Sequence, residues 1–487
     1  MKIPAKGLPK ESVYETLKSY RKQDHDSKSG RVWGYVYHAT QEADEVAKTV
    51  YTRFLSENAL DFTVYPSMLR LENEVVSMAA AHLNGDDQVA GNFTTGGTES
   101  IILAVKTARD WARAERPGIK EPEILLPTTA HAAFHKAAHY LDVKPVMVPV
   151  DPKTYKADPK AMRAALTENT IMLVASTPSY AHGVIDPVKP LADLALEKDI
   201  LCHVDACIGG WLLPYFRRLG APVPDFDFSV PGVTSISMDL HKYAYAAKGA
   251  SVVLYRDRKL RRHQMFACSD WPGYIVVNST VQSTKSGGPL AAAWAVMNFI
   301  GDDGYLELSR GLKDAAEKLV KGIESINGLR ILGKPEMTLL AVASDEINLF
   351  RMADKMGEKG WYIQPQLSFG DAPQNIHLSI SPSNVKWIDE FLVDLRDCAE
   401  ASRGLPQSDL VPMVVEAFSQ VDPATINEEI FSQMMQMAGI SSDSLPEGMA
   451  EINEVLNALP KKVCEKLLIQ YVNDLFSQPG ASVEKSE

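Results

Sequence analysis

The chain has 487 residues, 45% hydrophobic and 23% charged, with a formal net charge of −12. That length can bury a large core in more than one domain. The acidic balance, with no long basic run, excludes nucleic acid as the main partner and leaves room for a local basic pocket. Five scattered cysteines (Cys202, Cys207, Cys268, Cys398, Cys464) show neither metal-ligand nor disulfide spacing, which points to a reducing, cytoplasmic setting. Residues 1–10 lack the apolar segment of a signal peptide, and no stretch is apolar and long enough to be a transmembrane segment.

In chain order, residues 1–30 read as a polar arm with one helix over 11–21. Helices follow over 40–57 and 68–82, the second with Leu69, Val76 and Ala80 on one face. From about residue 90, short apolar runs alternate with helical stretches. Strands are expected at 123–126, 146–148, 171–175, 200–204 and 251–255, and helices at 99–115, 132–141, 159–166 and 187–198. This alternation argues for a mainly parallel sheet covered on both faces, with ligands at the carboxyl ends of the strands. Helices over 289–301 and 312–326 lead into strands at 329–332 and 338–343, a helix over 346–359, a strand at 376–380 and a helix over 387–397. The expected division is an arm with its helix (1–60), a large domain (61–300), a small α+β domain (301–402) and, after a linker at 403–407, a helical C-terminal extension (408–476). The extension is acidic and rich in methionine (Met413, Met434, Met435, Met437, Met449), punctuated by Asp443-Ser444-Leu445-Pro446 and Pro460. It reads as a small helical packing unit, with residues 478–487 disordered. Trp33, Trp271 and Trp361 read as core residues.

Three stretches carry candidate chemistry. In Ser235-Ile236-Ser237-Met238-Asp239-Leu240-His241-Lys242, a lysine falls in a turn between two strands. Poor solvation there is expected to depress its pKa and make it a Schiff-base nucleophile, against the plainer reading of a lysine snorkelling from a strand end. In Thr95-Gly96-Gly97-Thr98-Glu99-Ser100, glycines and hydroxyls open a helix whose N-terminus can hold a phosphate; the plainer reading is a Thr98 N-cap. In His203-Val204-Asp205-Ala206-Cys207, a carboxylate ends an apolar strand, placed to hold a protonated pyridine nitrogen or simply to cap the next helix.

The order Gly-Gly-Thr helix start, His131, Asp205, Lys242 is that of fold-type-I pyridoxal-phosphate enzymes. The chain resembles the sphingosine-1-phosphate lyase family of the group II pyridoxal-phosphate decarboxylase superfamily over residues 31–400. The resemblance is carried by the three stretches above, by Ala130-His131-Ala132-Ala133-Phe134, by Ser176-Thr177-Pro178 with His182-Gly183-Val184-Ile185-Asp186-Pro187, and by Pro231-Gly232-Val233-Thr234. It continues in His241-Lys242-Tyr243, Lys248-Gly249, Asp270-Trp271 and Lys359-Gly360-Trp361. It implies an α/β large domain of fold type I and pyridoxal 5'-phosphate as cofactor. Lys242 would be the cofactor-bearing lysine, Asp205 the pyridine partner and His131 the ring-stacking residue. Gly97, Thr98 and His241 would lie at the phosphate, and His203 beside Asp205. Tyr37 and Asn58 match positions that reach a neighbouring subunit's site, Lys248 a lysine near the active site, and Ser283-Thr284-Lys285 a loop that reaches the partner's cofactor phosphate. A homodimer with shared active sites and a small-molecule amine substrate, phosphorylated or lipid-like, follow from the same resemblance.

Two departures stand out. Asp61 replaces a histidine associated with the substrate's phosphate, and would repel a phosphate unless paired or protonated. Ser283-Thr284-Lys285-Ser286 replaces Gly-Ser-Arg-Pro, keeping a charge without the planar fork. The expected activity is a retro-aldol carbon–carbon cleavage giving an aldehyde and phosphoethanolamine, with Lys242, Lys248 and Tyr37 as candidate bases. The alternatives are an amino-acid α-decarboxylase, which Asp61 suits if the substrate carries an amine there, and a non-catalytic binding protein on the same fold.

Overall fold

The computed structural model describes residues 2–418 and 448–476. The sites expected from Met434, Met435, Met437 and 443–446, and the terminal disorder over 478–487, lie outside those residues. The chain parts into two compact units, one of residues 33–342 and 377–389, the other of residues 2–32, 343–376 and the described residues beyond 389.

The first unit is built on a seven-stranded sheet. Its strands are β1 (Ala90–Thr94), β2 (Glu123–Pro127), β3 (Lys144–Val148), β4 (Thr170–Ser176), β5 (Leu201–Asp205), β6 (Ser235–Met238) and β7 (Ser251–Tyr255). Their order is β1-β7-β6-β5-β4-β2-β3, and β7 runs antiparallel to both neighbours. Every residue of β1, β2 and β4 to β7 is buried, which is why β2, β4, β5 and β7 read as apolar runs. β1 escapes the sequence reading because Ala90-Gly91-Asn92-Phe93-Thr94 has no apolar run. It is held by its ladder to β7, Ala90 to Tyr255 through Thr94 to Ser251.

The helices fall close to their expected positions: Gln41–Arg53, Pro66–His82, Gly97–Glu115, Ala133–Leu141, Pro159–Ala164 and Val188–Glu197. The buried face of Pro66–His82 departs from the expected one. It carries Met68, Glu72, Val75, Val76, Ala79 and Ala80, while Leu69 is exposed. A hydrophobicity pattern does not put a glutamate on the inner face; Glu72 goes there because Lys285 meets it, as shown below. The two helices expected over 289–301 and 312–326 fall within Gly287–Glu324, which Gly301, at φ 65° and ψ 172°, divides into two helices. A hairpin of Phe266–Cys268 and Val276–Asn278 was not anticipated. Trp271 lies in its turn and is exposed, not core, with its indole N–H donating to the Tyr274 carbonyl. Trp33 and Trp361 are buried.

In the second unit the arm helix Lys10–Tyr20 buries no residue. Helices Leu410–Phe418, Ala450–Ala458 and Lys461–Leu475 supply Val414, Leu459, Val463, Cys464 and Leu467 to a small apolar cluster. Polar contacts anchor them to residues 348–374. Glu454, 2% exposed, accepts from Asn348 Nδ2 at 2.8 Å and the Ser408 N–H at 2.7 Å. Asp354 accepts from the N–H groups of Met449 and Ala450. No helix among the described residues is long and apolar enough to cross a membrane.

Candidate active site

The parallel strands end on one side at a cavity of ≈ 390 Å³, lined among others by Gly97, Thr98, His131, Asp205, Asp239 and Lys242. Each arrives there for a local reason. β1 turns through Thr95 and Gly96 directly into Gly97–Glu115. The helix therefore starts at Gly97, with Thr98 inside the first turn and not at the cap. No side chain caps it, so its first N–H groups lack a side-chain acceptor, and Gly97 and Thr98 line the cavity. Glu99 braces this turn. Its Oε2 accepts from the Thr95 N–H (2.6 Å) and hydroxyl (2.7 Å), and its Oε1 accepts from the Val281 N–H (2.9 Å). Gly97 must lack a side chain, because a Cβ there would sit 2.8 Å from both Asp239 Oδ2 and Cys207 Sγ.

Asp205 ends β5 and is 8% exposed. It accepts from the Cys207 N–H at 3.1 Å and the Ser237 hydroxyl at 3.4 Å. His203, two residues earlier on the same strand, is fully buried and does not line the cavity. Its ring joins β5 to β6 through the hydroxyls of Ser235 (2.8 Å) and Ser237 (3.2 Å), and burial pushes its pKa down to about 4. It supports the strand that carries Asp205 and does not sit beside that residue in the pocket. His131 receives the Ala133 N–H on Nδ1 at 3.1 Å and stands edge-on to Tyr180, ring centres 6.3 Å apart.

Lys242 lies in the turn between β6 and β7, as expected, but its protonation is opposite to expectation. Burial pulls its pKa down, yet Asp239, with the Cys207 and Tyr37 acids, outweighs that and the net shift is upward. The decisive contact is Asp239 Oδ2, 2.8 Å from Lys242 Nζ and 3.6 Å from His241 Nε2. His241 is itself shifted down, by burial first and against Asp239. Sequence reading missed Asp239, although an acid three residues before the lysine in a tight turn was a usable signal. It also missed Tyr180 and Cys207, both cavity-lining, for which nothing local stands out.

Tyr37 and Lys248 share a second hollow of ≈ 320 Å³ with Thr40, Tyr51 and Tyr245. Lys248 Nζ stands 4.9 Å from the centre of the Tyr37 ring and donates to the carbonyls of Tyr35 (3.3 Å) and His241 (3.4 Å). The residue as a whole is exposed, but its ammonium end is tucked among these groups. Burial, then the Lys242 charge, pushes its pKa down to about 8. Burial raises the Tyr37 phenol.

Asn58, Asp61, Ser283 and Thr284 line neither hollow. Two of their segments do meet: Asn58 bridges Ser286, the Ala59 N–H donates to the Lys285 carbonyl, and the Gly287 N–H to the Glu57 carbonyl. Ser283 and Thr284 are exposed. Asp61 is exposed and closes a turn, its Oδ1 accepting from the N–H (2.8 Å) and hydroxyl (2.6 Å) of Thr63, which lowers its pKa. Lys285 is buried against Glu72.

Comparison with known proteins agrees with this architecture. Residues 30–343 match the "Pyridoxal-dependent decarboxylase conserved domain", and residues 412–474 match "Pyridoxal-dependent enzyme, C-terminal putative HTH domain". The chain is 39% identical over 443 residues to the sphingosine-1-phosphate lyase of Arabidopsis thaliana, covering 89% of this chain and 80% of that protein. It is 38% identical over 425 residues to that of Dictyostelium discoideum, covering 86% and 79%. Among solved structures, the sphingosine-1-phosphate lyase of Burkholderia pseudomallei K96243 superposes with a TM-score of 0.79 at 35% identity, over 86% of this chain and 97% of that one.

Proposed function

The chain belongs to the sphingosine-1-phosphate lyase family within the pyridoxal-dependent decarboxylases, and from that premise we propose that its substrate is a phosphorylated, lipid-like amino alcohol, cleaved at a carbon–carbon bond to an aldehyde and phosphoethanolamine. It is a pyridoxal-phosphate-dependent lyase. The observation that carries the reading is that Lys242, Asp205, His131 and the Gly97–Thr98 helix start all line one cavity at the strand ends.

The residues present fit the cofactor. An uncapped helix start with no side chain at Gly97 offers N–H groups to a phosphate. A carboxylate at a strand end faces an amine-bearing turn across the same cavity. Bound there, pyridoxal phosphate supplies an aldehyde carbon for an amine and a protonated ring that takes up the electrons of a broken bond. The chain's residues do the rest. Lys242 would carry the cofactor, Asp205 would hold the ring's proton in place, and His131 would cover the ring face. Gly97 and Thr98 would hold the phosphate, with His241 beside it. Lys242, Lys248 and Tyr37 are the candidate bases for the substrate's hydroxyl proton; Lys248, pushed down to about 8 and lining the second hollow, is the one that a pH profile tests. The working form is a homodimer in the cytoplasm, in which Asn58, Asp61, Ser283 and Thr284 of one protomer border the site of its partner.

A second reading is supported by a specific observation. Asp61 is an anion, so the position assigned to the substrate's phosphate offers it no cation. That favours an amino-acid α-decarboxylase. The test of both is the absorption spectrum of the purified protein beside Lys242→Ala, followed by product analysis with sphingosine 1-phosphate and with amino acids. A cofactor band absent from the variant, with aldehyde and phosphoethanolamine formed, is expected. The band with carbon dioxide released from an amino acid would replace the first reading by the second.

A further inference from the structure

Asp205 ends a line of buried polar groups. In the parallel ladder of β5 and β6, His203 pairs with Ser235 and Asp205 with Ser237. Residues two apart on a strand share a face, so all four side chains stand on one face of the sheet. The two serine hydroxyls flank the His203 ring, Ser235 Oγ 2.8 Å from Nδ1 and Ser237 Oγ 3.2 Å from Nε2. Phe134 stands edge-on to that ring, centres 5.8 Å apart, and Phe134, His203 and Ser237 are all shut off from solvent. Burial pushes the pKa of His203 down to about 4, so the ring is neutral and carries one N–H. Ser237 Oγ also receives the Cys207 thiol at 3.3 Å and stands 3.4 Å from Asp205 Oδ1. Its one proton thus has two acceptors in reach, Nε2 and Oδ1. A carboxylate is a stronger acceptor than a neutral imidazole. With that proton given to Asp205, His203 must carry its own on Nε2, donate it to Ser237, and accept the Ser235 hydroxyl on Nδ1. The donors then run one way, from Ser235 through His203 and Ser237 to Asp205. Both donors to Asp205, the Ser237 hydroxyl and the Cys207 N–H, act on Oδ1, which leaves Oδ2 to the cavity that Asp205 lines. Besides His203, the ionisable groups around Asp205 are Cys207 and, facing that thiol, Asp239 and Lys242.

We propose that Ser237, oriented by His203, is a positioning residue that ties down Asp205 Oδ1, leaves Oδ2 for the cofactor's ring nitrogen, and so keeps a proton on that nitrogen. The proposal rests on the cofactor assignment above, and it gives a task to a serine and a histidine that touch no ligand themselves. A donor on Oδ1 acts in two ways. It restrains rotation of the carboxylate, so that Oδ2 needs no reorganisation to meet its partner. It also favours the charged carboxylate over the neutral acid, so a proton shared between Asp205 and the ring stays on the ring. Without that donor the proton passes more readily to Asp205 or to solvent. His203 is neutral across the working range, so the line holds its direction and does not itself titrate. Because the line is built on two paired strands and not on a loop, its spacing is set by the ladder.

The test uses the full chain loaded with pyridoxal phosphate that carries a nitrogen-15 label in the ring. The chemical shift of that nitrogen, which separates its protonated from its bare form, is followed from about pH 6 to about pH 9. In the parent the nitrogen is expected to stay protonated throughout. In Ser237→Ala it is expected to lose its proton within that range, a proton affinity at least about tenfold weaker. Ser237→Thr, which keeps the hydroxyl, should restore the parent's behaviour. Ser237→Cys, close in shape but a weaker donor, should fall between, and it carries the test if Ser237→Ala does not fold. A ring nitrogen that stays protonated over the whole range in the variant overturns the proposal even where activity falls, because lost activity alone is what a purely structural serine would give. A cofactor-loaded parent whose ring nitrogen is bare throughout overturns it as well. A parent that shows no cofactor band with pyridoxal phosphate overturns the cofactor assignment instead, and the proposal with it.

Discussion

The Lys285 ammonium lies 2.6 Å from Glu72 Oε2, and the two side chains are only 5% and 6% exposed. Lys285 also donates to the Phe93 carbonyl at 3.1 Å, while Glu72 Oε1 receives Asn92 Nδ2 and the Phe93 N–H, each at 3.0 Å. This network fastens the helix Pro66–His82, strand β1 and the start of the helix Gly287–Glu324 around one buried charge pair. Removing one partner leaves the other charge stranded. Lys285→Met is expected to cost about 3–5 kcal/mol, and Glu72→Met with Lys285→Met much less than the single change. Urea unfolding of both variants measures this; equal losses would show that the pair does not carry the site.

Asp205→Asn should fold, since the residue's two contacts are long and Asn keeps an acceptor. It should lose about 10²-fold or more in kcat, because the ring no longer keeps its proton as charge develops. Steady-state kinetics with a cofactor-binding titration separates this from lost affinity. A kcat within threefold of the parent would remove Asp205 from its assigned role.

Lys248 as the base would set a pH dependence. A base pushed down to about 8 is protonated and idle below that pH, so kcat should rise with pH and level off above about 8. Lys248→Ala should abolish this limb and cost about 10²–10⁴ in rate. A limb that survives in the variant would point to another group.

Asp186 connects folding to pH. It is fully buried, accepting from the N–H groups of Ala157 and Ser176 at 2.8 Å each, and burial pushes its pKa up to about 6 despite those bonds. The folded chain thus holds this proton more tightly than the unfolded one. The stability linked to it is fully present below about pH 4 and is lost as pH rises through about 6, a change of about 3 kcal/mol at most. Comparing parent and Asp186→Asn by chemical denaturation between pH 4 and 7 should show this dependence in the parent alone.

Glu454→Ala should free the C-terminal helices from residues 348–374. Two hydrogen bonds to a buried carboxylate are lost, costing about 1–3 kcal/mol. Limited proteolysis should then cut first between residues 403 and 460; an unchanged pattern would show that the remaining anchors, Asp354 among them, hold the extension without Glu454.

Much of this molecule was legible before its structure. Buried strands announce themselves as apolar runs, because both faces of a parallel sheet are covered. The Gly-Gly-Thr helix start, Asp205 at a strand end and Lys242 in a turn are local signals, each set by residues within a few positions. What the sequence left open depends on partners far along the chain. Glu72 faces inward, and Leu69 outward, because Lys285 arrives 213 residues later. The segments of Asn58 and Lys285, one expected at a neighbouring subunit's substrate site and the other at its cofactor phosphate, turn out to be joined to each other. The pKa of Lys242 goes up and not down because the turn folds Asp239 back onto it, 2.8 Å away. Periodicity and local motifs determine elements and their order. The charge state and facing of a buried ionisable group are decided by which opposite charge the tertiary fold brings within a few ångströms, since in the interior that choice outweighs the group's intrinsic preference.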